Sequence, residues 1–215
     1  MDRKELSQNH WRYYLMLEKR FVESTEYVEL HKDNFNTFSN TFALLLQAIG
    51  AELDTVFKEY CEFSTTDRKS IADYAQYILN RPFDIRNQRI HMQEYDIVIQ
   101  PFRDWNISHP SQSLQWWNAF TDIKHNRYMQ KNKANLENVL NCLGALYLME
   151  MLYLKKITEG SNEPDVFDES SNLFTLKNWT SKVVPLHQIF DLLSNLIDDE
   201  HYYDNKYCEC IKFDA

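Results

Sequence analysis

Apolar residues recur along this chain mostly at helical spacing, with one short change of period. Trp11, Tyr14, Leu15, Phe21 and Val22 fall on one stripe with Glu18 and Thr25, which predicts a helix over 6–30. A second stripe runs through Phe38, Phe42, Leu45, Leu46, Ile49, Leu53, Val56, Phe57 and Tyr60, and Asn34 or Asn36 is placed to cap that helix. Gly50 inside it reads as a position of close helix packing. Ser64 to Asp67 reads as the start of a third helix, whose face is Ile71, Tyr74, Ala75, Ile78 and Leu79 and which Arg81-Pro82 ends. The period then changes. Ile90 and Met92, followed by Ile97, Val98 and Ile99, predict a small hairpin within 85–101, closed by Pro101. Ser111 or Ser113 is placed to cap a helix carrying Leu114, Trp117 and Phe120. Last comes a helix apolar on most sides, from Leu136 through Val139, Leu143, Leu146 and Met149 to Tyr153.

The pattern therefore predicts a mostly α fold: a helical bundle with a small β-hairpin excursion, covering 1–157, and an acidic C-terminal appendage over 158–215 that packs on or near the bundle. The stretch Thr158 to Asp165 reads as the linker, and one tail helix is expected from about Leu186 to Asp199. The stripes of 36–60 and 134–156 are the longest, so these two helices are expected to form the central pair.

Composition agrees with long helices. Only 3 glycines and 5 prolines occur, too few for a turn-rich all-β fold, while 44% hydrophobic residues allow a substantial core. Cys61, Cys142, Cys208 and Cys210 match no zinc or redox spacing and are expected as free thiols in a reducing compartment. The charged Met1-Asp2-Arg3-Lys4-Glu5 start leads into no apolar leader segment, and no run of about 18 apolar residues occurs, so a cytoplasmic location away from membranes is expected. The net charge of −9 is uneven, since 158–215 hold four basic against twelve acidic residues. Such a balance excludes general coating of nucleic acid but leaves room for a local basic site in the first part of the chain.

The densest chemistry lies in Trp116-Trp117-Asn118-Ala119-Phe120-Thr121-Asp122-Ile123-Lys124-His125-Asn126-Arg127. Lys124, His125 and Arg127 are crowded, and crowded cations need a negative partner. If that partner is a phosphate, His125 moves the proton, Arg127 steadies the charged intermediate, and Lys124 and Asn126 hold substrate: the minimum kit for metal-independent RNA cleavage. If it is internal, Lys124 or Arg127 pairs with Glu52 or Asp54. Glu52, flanked by Ile49, Leu53 and Val56, is the better structural partner, because its burial unpaired is costly. Trp116 and Trp117 point about 100° apart on a helix; one packs inward, leaving the other to stack on a base or fill a subunit contact. Arg86 and His91 form a second Arg/His pair in a β-prone setting. No metal-binding pair, phosphate loop or nucleophile elbow occurs, so neither metal nor cofactor is expected. His187 and His201 read as surface residues.

Phe42 to Asp54, Trp116 to Arg127 and Pro101-Phe102-Arg103-Asp104-Trp105 resemble segments of uncharacterised bacterial helical proteins whose overall plan is similar to HEPN domains. The resemblance covers about 10–157. It implies a helical RNA-associated protein of a defence or stress system, and, in the active members, a ribonuclease with an Arg-x4–6-His motif placed across a dimer. Arg86 to His91 is the literal match; at His125 and Arg127 the order is reversed. Many members of that class are non-catalytic. The competing expectation is an interaction module that forms a homodimer or partner interface through its Trp-rich helix.

Overall fold

The computed structural model describes residues 1–182 except 65, 93, 178 and 180, and Met1–Thr180 form one compact unit. The expected tail helix, His187, His201, Cys208, Cys210 and most of the acidic appendage lie outside the described residues.

The chain starts with α1 (Arg3–Leu6), passes through a π-helical turn (Ser7–Trp11) and continues as α2 (Arg12–Ser24). An Asp2–Glu5 capping box satisfies the free backbone donors of the first turn. The helix stops at Ser24, earlier than its stripe predicts. Next come α3 (Asn40–Tyr60), α4 (Ile71–Ile78), α5 (Gln115–Asn126) and α6 (Leu136–Thr158). Several starts differ from the expected ones. Ser39, not Asn34 or Asn36, caps α3 by accepting from the Phe42 amide at 3.0 Å. The α4 start belongs to Ser70, whose amide and hydroxyl both donate to Asp73 at 2.8 Å. Neither Ser111 nor Ser113 caps α5; Ser113 instead accepts from the Asn106 amide at 3.2 Å within the preceding loop.

As expected, α3 and α6 form the central pair, with more shared contact than any other two elements. Every residue from 142 to 154 is buried. Helix α5 approaches α3 closely because Gly50 has no Cβ; one built there would enter the Phe120 ring. Gly144 does the same for the Ile99 side chain. The hairpin strands β1 (Ile90–Met92) and β2 (Val98–Ile99) are present, antiparallel with Ile90 opposite Ile99. A third strand that the periodicity does not announce, β3 (Phe174–Thr175), pairs with the other edge of β1, giving the order β2-β1-β3.

That strand belongs to a strap running back along the bundle after α6. The Trp11 ring stacks on Phe167 at 4.0 Å and its indole donates to the Glu169 carbonyl at 2.7 Å. Arg3 reaches the Pro164 and Val166 carbonyls and Asp168. Phe167, Leu173 and Phe174 are buried. The first part of the expected appendage is thus built into the core, because its apolar residues complete the cover over Trp11, Tyr14 and Tyr147. No helix among the described residues is long and apolar enough to cross a membrane.

Candidate functional site

Three helical segments place acid–base side chains at one buried point. The first contribution comes from the π-helical turn. An extra residue in a helical turn rotates the downstream residues about the axis and often marks a functional position; here the turn carries His10, 6% exposed, into the bundle. The second comes from α3, where Glu52 and Glu59 lie two turns apart on one face. The third is Glu150, the single acidic or basic residue between Glu137 and Lys155 on α6, with no exposed surface.

His10 Nδ1 lies 2.6 Å from Glu52 Oε1. Its Nε2 lies 3.1 Å from Glu59 Oε2, close enough for charge contact, while that oxygen has no hydrogen bond. Both oxygens of Glu150 lack any hydrogen-bond partner. Donor atoms of His10, Glu52 and Glu150 all lie within 4.8 Å of one another. Burial opposes charge on His10, but the Glu52 hydrogen bond and the charges of Glu59 and Glu52 outweigh it and raise the imidazole pKa. Burial pushes the Glu150 carboxyl well above the usual range, and repulsion from Glu52 and Glu59 adds to this. The centre therefore holds a surplus of acidic groups around one imidazole, and its burial disfavours charge on Glu150. The donor set, one nitrogen and several oxygens, suits a metal ion. Motif spacing does not reveal such a donor set, because the spacing rules look for neighbours in sequence and these donors come from three separated helices.

Glu52 accordingly does not serve the basic cluster. It faces His10, whereas Lys124, His125, Asn126 and Arg127 are exposed at the far end of α5. There Lys124 sits over the Phe120 ring at 5.6 Å, Arg127 donates to Asn40 at 3.1 Å, and Asn126 accepts weakly from the Met129 amide at 3.4 Å. Arg127 and Lys131 line a shallow groove with Phe38, Ser39, Asn40 and Ala43; His125 does not reach it. Trp116 and Trp117 are both buried, which corrects the expectation that one is free. The Trp116 indole donates to the Pro101 carbonyl at 2.7 Å and meets Phe102 edge-on, and Trp117 meets Phe57 edge-on. The Pro101–Trp105 turn covers the side of α5 that a lone amphipathic helix leaves open, so neither ring is presented to a base or a partner.

Arg86 and His91 are not brought together as a pair. Arg86 is exposed and held by Asp84 at 2.8 Å. His91 sits on β1 opposite Val98 and Thr175 and lines a cleft with Arg89, Lys155, Lys177, Phe83 and Trp179. Partial burial, then Lys177 and Arg89, lower its pKa.

Glu52 is singled out in the sequence only as a partner for the basic cluster, and His10, Glu59 and Glu150 carry no motif that marks them as site residues. One signal is present for Glu150: a lone carboxylate inside an otherwise apolar helix. No family model, no curated protein and no solved structure matches this chain. The HEPN-like resemblance therefore stands on Phe42 to Asp54, Pro101 to Trp105 and Trp116 to Arg127 alone.

Proposed function

We propose that this chain is a cation-binding helical protein whose working part is the His10–Glu52–Glu59–Glu150 centre. The observation that carries this reading is Glu150: fully buried, with neither oxygen hydrogen-bonded. Buried polar groups are nearly always partnered, and an orphan of this kind is costly and calls for a partner. A carboxylate kept in such a place beside two more carboxylates fits a site filled by a positive ligand better than it fits a structural element. The test is thermal and denaturant unfolding of the chelator-treated full chain. Glu150→Gln is expected to unfold at higher temperature than the wild type at neutral pH, since the amide keeps the shape and carries no charge to bury. A clear loss of stability in that variant would show Glu150 to be structural.

A second reading, the RNA-associated role that the resemblance implies, is supported by a different feature. The cleft of about 540 Å³ at the β1–β3 edge is lined by Arg89, His91, Lys155 and Lys177 with the aromatic rings of Phe83 and Trp179. Cations interleaved with aromatic faces suit single-stranded nucleic acid. On this reading, Lys177→Glu weakens RNA binding and flattens its salt dependence. Cleavage that survives EDTA in the wild type and vanishes in His125→Ala would establish the ribonuclease form; binding unaffected by Lys177→Glu would exclude the cleft.

A further inference from the structure

Resting on the cation-site reading, we infer that the ligand is one divalent transition-metal ion, held by His10 Nδ1 and the carboxylates of Glu52 and Glu150, with Glu59 as the outer partner of the imidazole.

The geometry selects the ligand class by size, charge and donor type. The site is mostly enclosed: Glu150 has no exposed surface, and the His10 and Glu52 side chains are 7% and 15% exposed, which favours a compact ion over an organic cation. Two carboxylates balance a double positive charge, which offsets both the burial and the repulsion from Glu52 and Glu59 that oppose charge on Glu150. An imidazole nitrogen among the donors favours zinc, manganese or iron over calcium and magnesium, which take oxygen donors. Ligand atoms bound at about 2.0–2.2 Å to one ion lie roughly 3.0–3.5 Å apart. Donors already within 4.8 Å of one another lie little farther apart than that.

The two faces of the imidazole explain why a third carboxylate is present. His10 Nδ1 points at Glu52, while Nε2 points at Glu59. The ion takes the place of the proton that Nδ1 shares with Glu52, and that proton, with any held by the Glu150 carboxyl, leaves to solvent. Nε2 keeps its hydrogen and turns it toward Glu59. Such a carboxylate–histidine–metal arrangement fixes the tautomer and ring orientation of a ligand histidine. The π-helical turn supplies the remaining requirement, since a regular helix through Ser7–Trp11 aims residue 10 elsewhere. With three protein ligands the ion keeps an open coordination position, the pattern of sites that hold water or substrate.

The test uses the full chain after chelation and dialysis, titrated separately with Zn²⁺, Mn²⁺ and Co²⁺ by calorimetry, with Co²⁺ visible absorption as a direct report of the ligand set. One ion per chain is expected. Glu150→Gln should weaken binding at least a hundredfold, and Glu59→Gln about 10–100-fold with stoichiometry unchanged. His10→Ala should abolish the Co²⁺ spectrum; if that variant misfolds, the two glutamine variants carry the test. Binding equal in wild type and Glu150→Gln would overturn the assignment by locating the ion elsewhere. If no ion binds while Glu150→Gln still stabilises the chelated chain, the metal assignment fails and the broader cation-site reading survives. If no ion binds and Glu150→Gln destabilises, both fail.

Discussion

Two glutamates of this chain are equally buried and differently used. Glu18, on α2, is 2% exposed, and Glu150, on α6, is fully buried. Glu18 is surrounded by donors. The Tyr14 hydroxyl donates to it at 2.7 Å, the Ser171 hydroxyl donates at short range, and the amides of Asn172 and Leu173 donate at 3.0 and 3.3 Å. Its carboxylate is the knot that ties the 165–175 strap to the bundle. Glu150 has no such donors, and its nearest polar neighbours are other carboxylates and the imidazole they share. Burial alone therefore does not mark a functional carboxylate. The number of donors around it separates a structural anion from one left for a ligand.

Glu18→Ala tests this contrast most severely. Each buried donor left without its acceptor costs about 1–3 kcal/mol, so several orphaned together should cost several kcal/mol and release the strap. Urea melts and proteolysis near 165–175 check this, and a near-neutral result would remove Glu18 from its structural role. Next in size is Leu143→Ala, two turns before Glu150 on α6. It should cost about 2–5 kcal/mol if the surroundings are as tightly packed as the burial of 142–154 indicates. A melting midpoint close to wild type would mean a looser environment, and with it a smaller penalty on Glu150.

Glu150→Gln has the opposite sign. In the metal-free chain it should gain stability at neutral pH, because an amide is uncharged at every pH and needs no proton to be buried. The pH dependence gives a second, independent measure. The Glu150 pKa is raised above its ordinary value of 4.5, so its contribution is fully present below that pH and is lost as pH climbs toward the folded-state value. Metal-free wild type should therefore lose stability relative to Glu150→Gln between about pH 5 and 6.5, by at most about 1.4 kcal/mol per pH unit. Above that window His10, also raised from 6.5, loses stability in the same direction. A difference between the two proteins that does not change with pH would contradict the raised carboxyl.

Much of the architecture is legible in the chain because helical periodicity is a local property. The stripes of α3 and α6 identify the central pair, the change of period locates β1 and β2, and Gly50 is indeed a packing position, against α5. The errors follow from the same locality. Nearby Ser and Asn residues look equally suited to start a helix, but Ser39 and Ser70 are selected by which backbone donors the fold leaves unpaired. Trp116 and Trp117 look too divergent for one core, because the Pro101–Trp105 turn that covers the second side of α5 is not visible in the helix itself. The strap after α6 is hidden for a similar reason: β3 is two residues long, and it is a strand only because β1 offers an edge.

The mostly α class, the helix pair at the centre and the short hairpin can be read from the residues in order, since each depends on positions within a few turns of one another. The anomaly of a lone carboxylate in α6 is equally plain there. What that carboxylate meets is settled at a higher level. His10, Glu52 and Glu150 come from three helices far apart in the chain, and a π-helical turn with no periodic signature aims the first of them inward. Convergence of this kind depends on how helices pack and rotate against one another, which is a sum over many contacts and not a property of any one segment.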